Sequence, residues 1–110
     1  MTVMITKTIT IHLAELTSGH VQEVFRIARD DEPAALDPAD CEYLPIVRRA
    51  TNGYTVVDGF HRLAGMVVGG NGLTVIVVDA PKAFFDQIDC DSVIGECDAL
   101  DAIYAAAKER

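Results

Sequence analysis

Positive charge is scarce in this chain. Nine Lys and Arg stand against seventeen Asp and Glu over 110 residues, a formal net charge of -8. Proteins that grip nucleic acid draw most of their affinity from neutralising phosphates with basic side chains. The balance therefore argues against a domain that holds a duplex unaided. The exceptions are local: Arg48 and Arg49 are adjacent, and Arg62 lies in the stretch singled out below. Elsewhere the excess of carboxylates reads as a solvated surface that aids solubility.

Cysteine is sparse and unpaired. Cys41, Cys90 and Cys97 form no C-x-x-C unit, are odd in number, and none lies beside a histidine. Reduced, idle thiols are expected rather than a disulfide framework or a catalytic thiol. Long apolar runs are missing too. The longest stretch without a charge, Leu63–Val78, is interrupted by four glycines and an asparagine, which reads as helix, turn and strand rather than a membrane span. The N-terminus has no small-residue cleavage site after its single lysine, so no signal peptide and a cytoplasmic setting are expected. His12 and His20 have no partners at a metal-ligand spacing, and no metal site is expected from them. Repeats and low-complexity segments are absent, and the length suits one domain over residues 1–110.

What is present is well-patterned secondary structure. Val3, Ile5, Ile9, Ile11 and Leu13 alternate with Thr6, Thr8, Thr10 and His12, which predicts a half-buried strand. Val21, Val24, Phe25 and Ala28 then recur at helical spacing, with Ser18 as the expected N-cap and Pro33 beyond the end. Asp30 to Cys41 is acidic, carries Pro33 and Pro38, and reads as a surface loop with room for a helical turn after Asp37. Leu44–Arg49 and Tyr54–Asp58 read as strands joined by Thr51-Asn52-Gly53, where Asn-Gly signals a hairpin because both residues tolerate positive φ. A helix is predicted from Gly59 to about Val68, with Phe60, Leu63, Ala64, Val67 and Val68 on one face.

Gly69-Gly70-Asn71-Gly72 ends that helix and leads into Leu73–Val78, an apolar run that fits a strand covered on both faces. Strand, helix and strand over Tyr54–Val78 predict a right-handed crossover that returns a parallel strand. Pro81 suits the first turn of another helix through about Ile88. A last helix, from Asp98 to near Lys108, gathers Leu100, Ile103, Tyr104 and Ala107 on one side. Asp98 is its expected cap, and Lys108 and Arg110 complement its dipole. The expected class is α+β.

The exit of the second hairpin strand carries the chemistry. There an apolar strand passes through Asp58-Gly59-Phe60-His61-Arg62 into the first turn of a helix. A helix N-terminus exposes unpaired N–H groups and partial positive charge, so it attracts anions. Gly59 has no side chain to obstruct a ligand. His61 and Arg62 add ring and guanidinium donors suited to phosphate oxygens. Asp58 admits three roles: capping the helix, holding Arg62 or His61, or binding Mg²⁺ alongside a nucleotide. A plainer arrangement competes, in which Asp58 caps, Arg62 pairs with an acidic neighbour and His61 is a surface residue. Phe60 either stacks on a base or packs with Leu63, Ala64 and Val67.

Leu44-Pro45-Ile46-Val47-Arg48, followed by Gly53-Tyr54-Thr55-Val56-Val57-Asp58-Gly59-Phe60-His61-Arg62-Leu63-Ala64, resembles the nucleotide-binding core of the ParB/sulfiredoxin superfamily. The resemblance is clearest over Leu44–Asp79 and extends loosely to Leu13-Ala14-Glu15-Leu16. It implies a small mixed sheet with a strand–helix–strand nucleotide-binding core and C-terminal helices. It also implies a nucleotide di- or triphosphate, ATP or CTP, held by Pro45, Gly59, Phe60, His61 and Arg62. Sulfiredoxins carry a reactive cysteine where this chain has Phe60, which speaks against their repair chemistry. ParB proteins carry a Gly-Glu-Arg-Arg turn and a DNA-binding domain that are not found here. The Asp-Gly-x-His-Arg form resembles the branch that contains small free-serine kinases. That likeness implies catalytic roles for Asp58 and His61 and an activating carboxylate, for which Glu32 and Asp31 are the candidates.

Three functions follow as expectations. The first is a nucleotide-binding domain, a small phosphotransferase or nucleotide hydrolase if it is an enzyme, with Mg²⁺ as an accompanying ion. The second is a non-catalytic interaction module that keeps the fold and meets a protein partner or a second copy through the C-terminal helix. The third, by family analogy alone, is an accessory DNA-partition or nuclease-like protein.

Overall fold

Four strands and four helices are found among residues 4–88 and 92–108, the part of the chain that the computed structural model describes. In chain order these are β1 (Ile5–Ile11), α1 (Ser18–Asp30), β2 (Ile46–Ala50), β3 (Gly53–Asp58), α2 (Phe60–Val68), β4 (Leu73–Asp79), α3 (Lys82–Phe85) and α4 (Asp98–Lys108). The radius of gyration, 13.3 Å, is that of a compact domain of this length. The fold is α+β, as expected. No helix among the described residues is long and apolar enough to cross a membrane.

The sheet is mixed, in the order β1-β4-β2-β3. β2 and β3 form the expected hairpin, β4 lies parallel to β2, and β1 closes the far side antiparallel to β4. The predicted parallel return from β3 through α2 does not occur, because β4 takes the free side of β2 and so runs antiparallel to β3. Burial explains the choice: Ile46 and Val47 are fully buried, so β2 needs a neighbour on both sides, whereas β3 is only half-buried and stays at the edge. β4 is covered on both faces as its apolar run predicted. Val75 and Val77 join one core, and Ile76 and Val78 join the other.

Helices cover both faces. α1 and α2 close one core through Val24, Ile27, Leu63, Ala64 and Met66; α4 closes the second through Leu100, Ile103 and Tyr104. The apolar side of the C-terminal helix is thus occupied by the chain's own sheet. The acidic loop is less external than its composition suggested. Leu36 packs on the first core and donates its N–H to the Gly65 carbonyl at 2.9 Å. The helical turn after Asp37 is a 3₁₀ turn at Pro38–Asp40, with the Asp37 carboxylate accepting the Ala39 N–H at 2.9 Å.

Several details differ from expectation. Ile5 is exposed and Thr6 is buried, because α1 and α2 do not reach the start of β1 while α4 covers its other side. Leu13 belongs to a 3₁₀ turn rather than to β1, and Val3 lies outside the described residues. The residue before α1 is Thr17, not Ser18, and Ile27 rather than Phe25 points into the core. In α2, Met66 is buried and Val68 exposed. α3 is one turn long and Pro81 precedes it. Asp98 is the first residue of α4, and it is Asp101 whose carboxylate accepts the Gly95 N–H at 2.9 Å. Of the hairpin residues only Gly53 has positive φ, and a Cβ there would collide with the Glu15 carbonyl oxygen. Cys41 and Cys97 are free thiols; Cys90 and Arg110 lie outside the described residues.

Candidate functional site

β3 reaches the site through an irregularity. Val47 pairs with Val56 but Ile46 pairs with Asp58, so Val57 is left over as a bulge. A bulge re-aims the side chain that follows it. Asp58 consequently stands opposite Ile46, on the side where Arg62 meets it. Gly59 then turns the chain at φ 106°, in the left-handed region that glycine alone adopts freely. A Cβ on Gly59 would lie 2.9 Å from Pro45 Cα and 3.1 Å from Arg62 Nη2. The missing side chain therefore serves close packing against Pro45.

Arg62 is the hub of this turn. Its Nη1 donates to the Tyr43 carbonyl at 2.5 Å, to the Leu44 carbonyl at 3.3 Å and to the Tyr104 hydroxyl at 2.9 Å, while Nη2 donates to Asp58 at 2.7 Å. Tyr104 in turn donates to the Leu44 carbonyl at 2.7 Å and meets the Tyr43 ring edge-on at 5.0 Å. Burial alone would lower the pKa of Arg62, but Tyr104 and Asp58 outweigh it and the net shift is upward. Burial pushes the Tyr104 hydroxyl up, and Arg62 reverses only part of that. The arginine thus ties the β3–α2 turn to the Tyr43–Pro45 segment and to α4.

The first turn of α2 is left open. The Gly59 cap offers no side-chain bond, and the first helical bond runs from the Leu63 N–H to the Gly59 carbonyl at 2.9 Å. The N–H groups of Phe60, His61 and Arg62 precede that bond and have no partner within the helix. They open on a groove of about 810 Å³, lined also by β3, by His20, Glu23 and Arg26 of α1, by Arg48 of β2 and by Phe85 of α3.

Phe60 takes the packing role that one of its two readings gave it. It is half-buried against the first core, meets His20 edge-on at 5.0 Å, and also lines the groove. His20 is not a surface residue: the Val56 N–H donates to its Nδ1 at 2.9 Å, which leaves the ring proton on Nε2. Burial lowers the His20 pKa, against a smaller upward influence of Glu23. His61 is exposed at the rim, with Nε2 3.3 Å from the Asp31 carboxylate.

Asp58, Gly59, Phe60, His61 and Arg62 therefore line one groove, and Pro45 buttresses it from behind. Glu32 does not reach it. α1 ends at Asp30, Asp31 takes the position facing His61, and Glu32 follows exposed at φ 44°. Glu23 is the α1 carboxylate that lines the groove, and its bond to Arg26 at 2.6 Å lowers its pKa. Among the described residues no group of three or more His, Cys, Asp or Glu gathers to hold a metal.

Sequence reasoning missed three participants. Tyr104 read as part of an apolar helix face, and its hydroxyl bond to Arg62 spans 42 positions in the chain. His20 carried no local signal at all. Arg48 stood out only as half of a basic pair, which strand alternation separates: Arg49 meets Asp79 at 3.4 Å, while Arg48 lies 5.0 Å from the Phe85 ring centre. Among the described residues Arg48 has no acidic partner. Comparison with protein-family models, with curated proteins and with solved structures finds no match to this chain.

Proposed function

We propose that this chain binds a nucleotide through its phosphates, in the groove at the start of α2. The observation that carries the reading is an uncapped helix N-terminus facing a groove in which Arg48 is the one cation without an acidic partner among the described residues. Unpaired N–H groups at the positive end of a helix favour phosphate oxygens, and Arg48 supplies the charge that Arg62 cannot. The bond from Arg62 to Asp58 supports the same reading, because a paired carboxylate repels an incoming anion less than a free one. His61 at the rim adds a donor, and its Nδ1 is unpartnered among the described residues.

The finer reading is a nucleotide domain of the ParB/sulfiredoxin kind. It rests on the strand, turn, helix and strand over Leu44–Asp79, the segment that carries the resemblance. Binding is better supported than catalysis. Among the described residues each groove carboxylate is tied to a cation: Glu23 to Arg26 at 2.6 Å, Asp58 to Arg62 at 2.7 Å and Asp86 to Lys82 at 3.1 Å. None is a free base for an acceptor hydroxyl. Magnesium carried in with a nucleotide would find Oδ1 of Asp58, since Oδ2 is held by Arg62.

A second reading, a non-catalytic module that keeps the fold without a nucleotide, has one observation in its favour. Arg62, the residue the motif offers to phosphate, is engaged by four acceptors of the protein itself. A thermal-shift screen of ATP, ADP, CTP and GTP, with and without Mg²⁺, separates the two. A nucleotide at a hundred times its Kd adds about 2.7 kcal/mol to stability, a shift of roughly 10 °C or more for a chain of this size. No shift with any of them would favour the second reading.

A further inference from the structure

The two edges of the sheet are not alike. At the β3 edge Leu16 bridges Tyr54, the Thr17 N–H donates to the Tyr54 carbonyl at 2.9 Å, and His20 takes the Val56 N–H. At the other edge β1 pairs with β4 alone, in unbroken register from Ile5 opposite Asp79 to Ile11 opposite Leu73. Among the described residues no segment bonds to the outer side of β1. Folded proteins usually guard such an edge with proline, a bulge or several charges. β1 has no proline, no bulge, and a single charged residue, Lys7.

We infer that β1 is a homodimer edge, on which a second copy of this chain pairs its own β1 antiparallel. Three observations select that occupant. The strand reads Ile-Thr-Lys-Thr-Ile-Thr-Ile. Laid antiparallel on itself about Thr8, it sets Thr8 against Thr8, Thr6 against Thr10 and Ile5 against Ile11, and only Lys7 meets an unlike residue, Ile9. Such a self-complementary pairing is what a two-fold axis requires. Charge points the same way: the chain carries -8, yet no Asp or Glu precedes Glu15. Two copies therefore meet here without opposed carboxylates, and the two Lys7 side chains are diagonal rather than facing. Finally, Ile5 is 58% exposed while Ile11 on the same strand face is buried. Pairing lays Ile5 beside the second copy's Ile11 and covers an isoleucine that the single chain leaves in water.

The pairing joins two four-stranded sheets into one and is independent of any ligand in the groove. Sedimentation equilibrium of the full chain should return twice its 11.9 kDa mass. Thr8→Cys, at the axis, should form an intermolecular disulfide under mild oxidation at least about tenfold above the wild-type background. Directly opposed Cα atoms in an antiparallel pair are about 4.5–5.5 Å apart, within reach of a disulfide. Ile5→Cys, three positions from the axis, should stay at background. Both side chains are exposed, so both variants should keep the wild-type circular dichroism. A chain that remains at 11.9 kDa up to high micromolar concentration overturns the inference. So does a dimer in which Thr8→Cys fails to cross-link, or in which Ile5→Cys cross-links equally well.

Discussion

Asp58 and Arg62 face each other across the first turn of α2, with Oδ2 2.7 Å from Nη2, and the pair is three-quarters shielded from solvent on each side chain. The contact uses an i, i+4 spacing along the chain, but the bulge at Val57 is what aims the carboxylate. It converts the most conspicuous charged residue of the motif from a free ligand into a structural fastener. In the proposed nucleotide reading, phosphate contact at this turn falls to the backbone N–H groups and to Arg48.

Arg62→Ala should destabilise the fold by about 2–4 kcal/mol. The change strands the Asp58 carboxylate and removes a donor from the Tyr43 and Leu44 carbonyls and from Tyr104. Arg62→Lys should recover little of this, because one ammonium cannot span acceptors that a planar guanidinium reaches from both of its ends. Urea denaturation of the three proteins checks both statements. A midpoint for Arg62→Ala within error of the wild type would show that the network is not structural.

Gly59→Ala should cost about 2–4 kcal/mol, combining the penalty of a left-handed residue with the clash on Pro45. The nearest atom is Pro45 Cα, which every residue possesses. The double variant Gly59→Ala with Pro45→Ala should therefore remain as unstable as the single one. Recovery in the double variant would mean that the proline ring, not the backbone, sets the limit.

His20 gives the fold a pH dependence. Burial holds its pKa below the ordinary 6.5 while Nδ1 accepts the Val56 N–H. The unfolded chain therefore takes up the proton first as pH falls. The stabilisation is complete above about pH 6.5 and is lost as pH drops from there through the folded-state value. Denaturation near pH 7.5 and near pH 5.5 should show a larger loss for the wild type than for His20→Gln. At the higher pH, His20→Ala should cost about 1–2 kcal/mol, by leaving an edge-strand N–H unpaired. Equal losses for wild type and His20→Gln would remove His20 from the account.

Much of this architecture could be read from the residues, for identifiable reasons. Strong local signals named their elements correctly: the threonine–isoleucine alternation of β1, the Asn-Gly hairpin, the glycine-rich stop after α2 and the apolar run of β4. The group Asp58–Arg62 was also legible, because a turn into a helix keeps its residues together in space. What could not be read were choices made between distant segments. The position of β4 beside β2 depends on how much of each strand is buried, which no local pattern states. Tyr104 and His20 join the site across 42 and 36 positions, and nothing near either residue marks it. Of the two carboxylates considered after α1, Asp31 takes the position facing His61 and Glu32 follows it, exposed, a choice set by where the helix ends.

If a nucleotide binds in the groove as proposed, Arg48 is the cation that meets its phosphate. Removal of Arg48 should leave the fold almost intact, since it makes no ion pair among the described residues and its contact with the Phe85 ring is worth about 0.5–1 kcal/mol at a partly exposed site. Isothermal titration of the wild-type chain and of Arg48→Ala with ATP, ADP, CTP and GTP, with Mg²⁺ present, tests this directly. The account predicts one saturable site per chain for at least one nucleotide, weakened about tenfold or more in Arg48→Ala, as expected when a charged hydrogen bond worth about 1.5–3 kcal/mol is removed. A wild-type chain that binds none of them, or an Arg48→Ala chain that binds equally well, would contradict it.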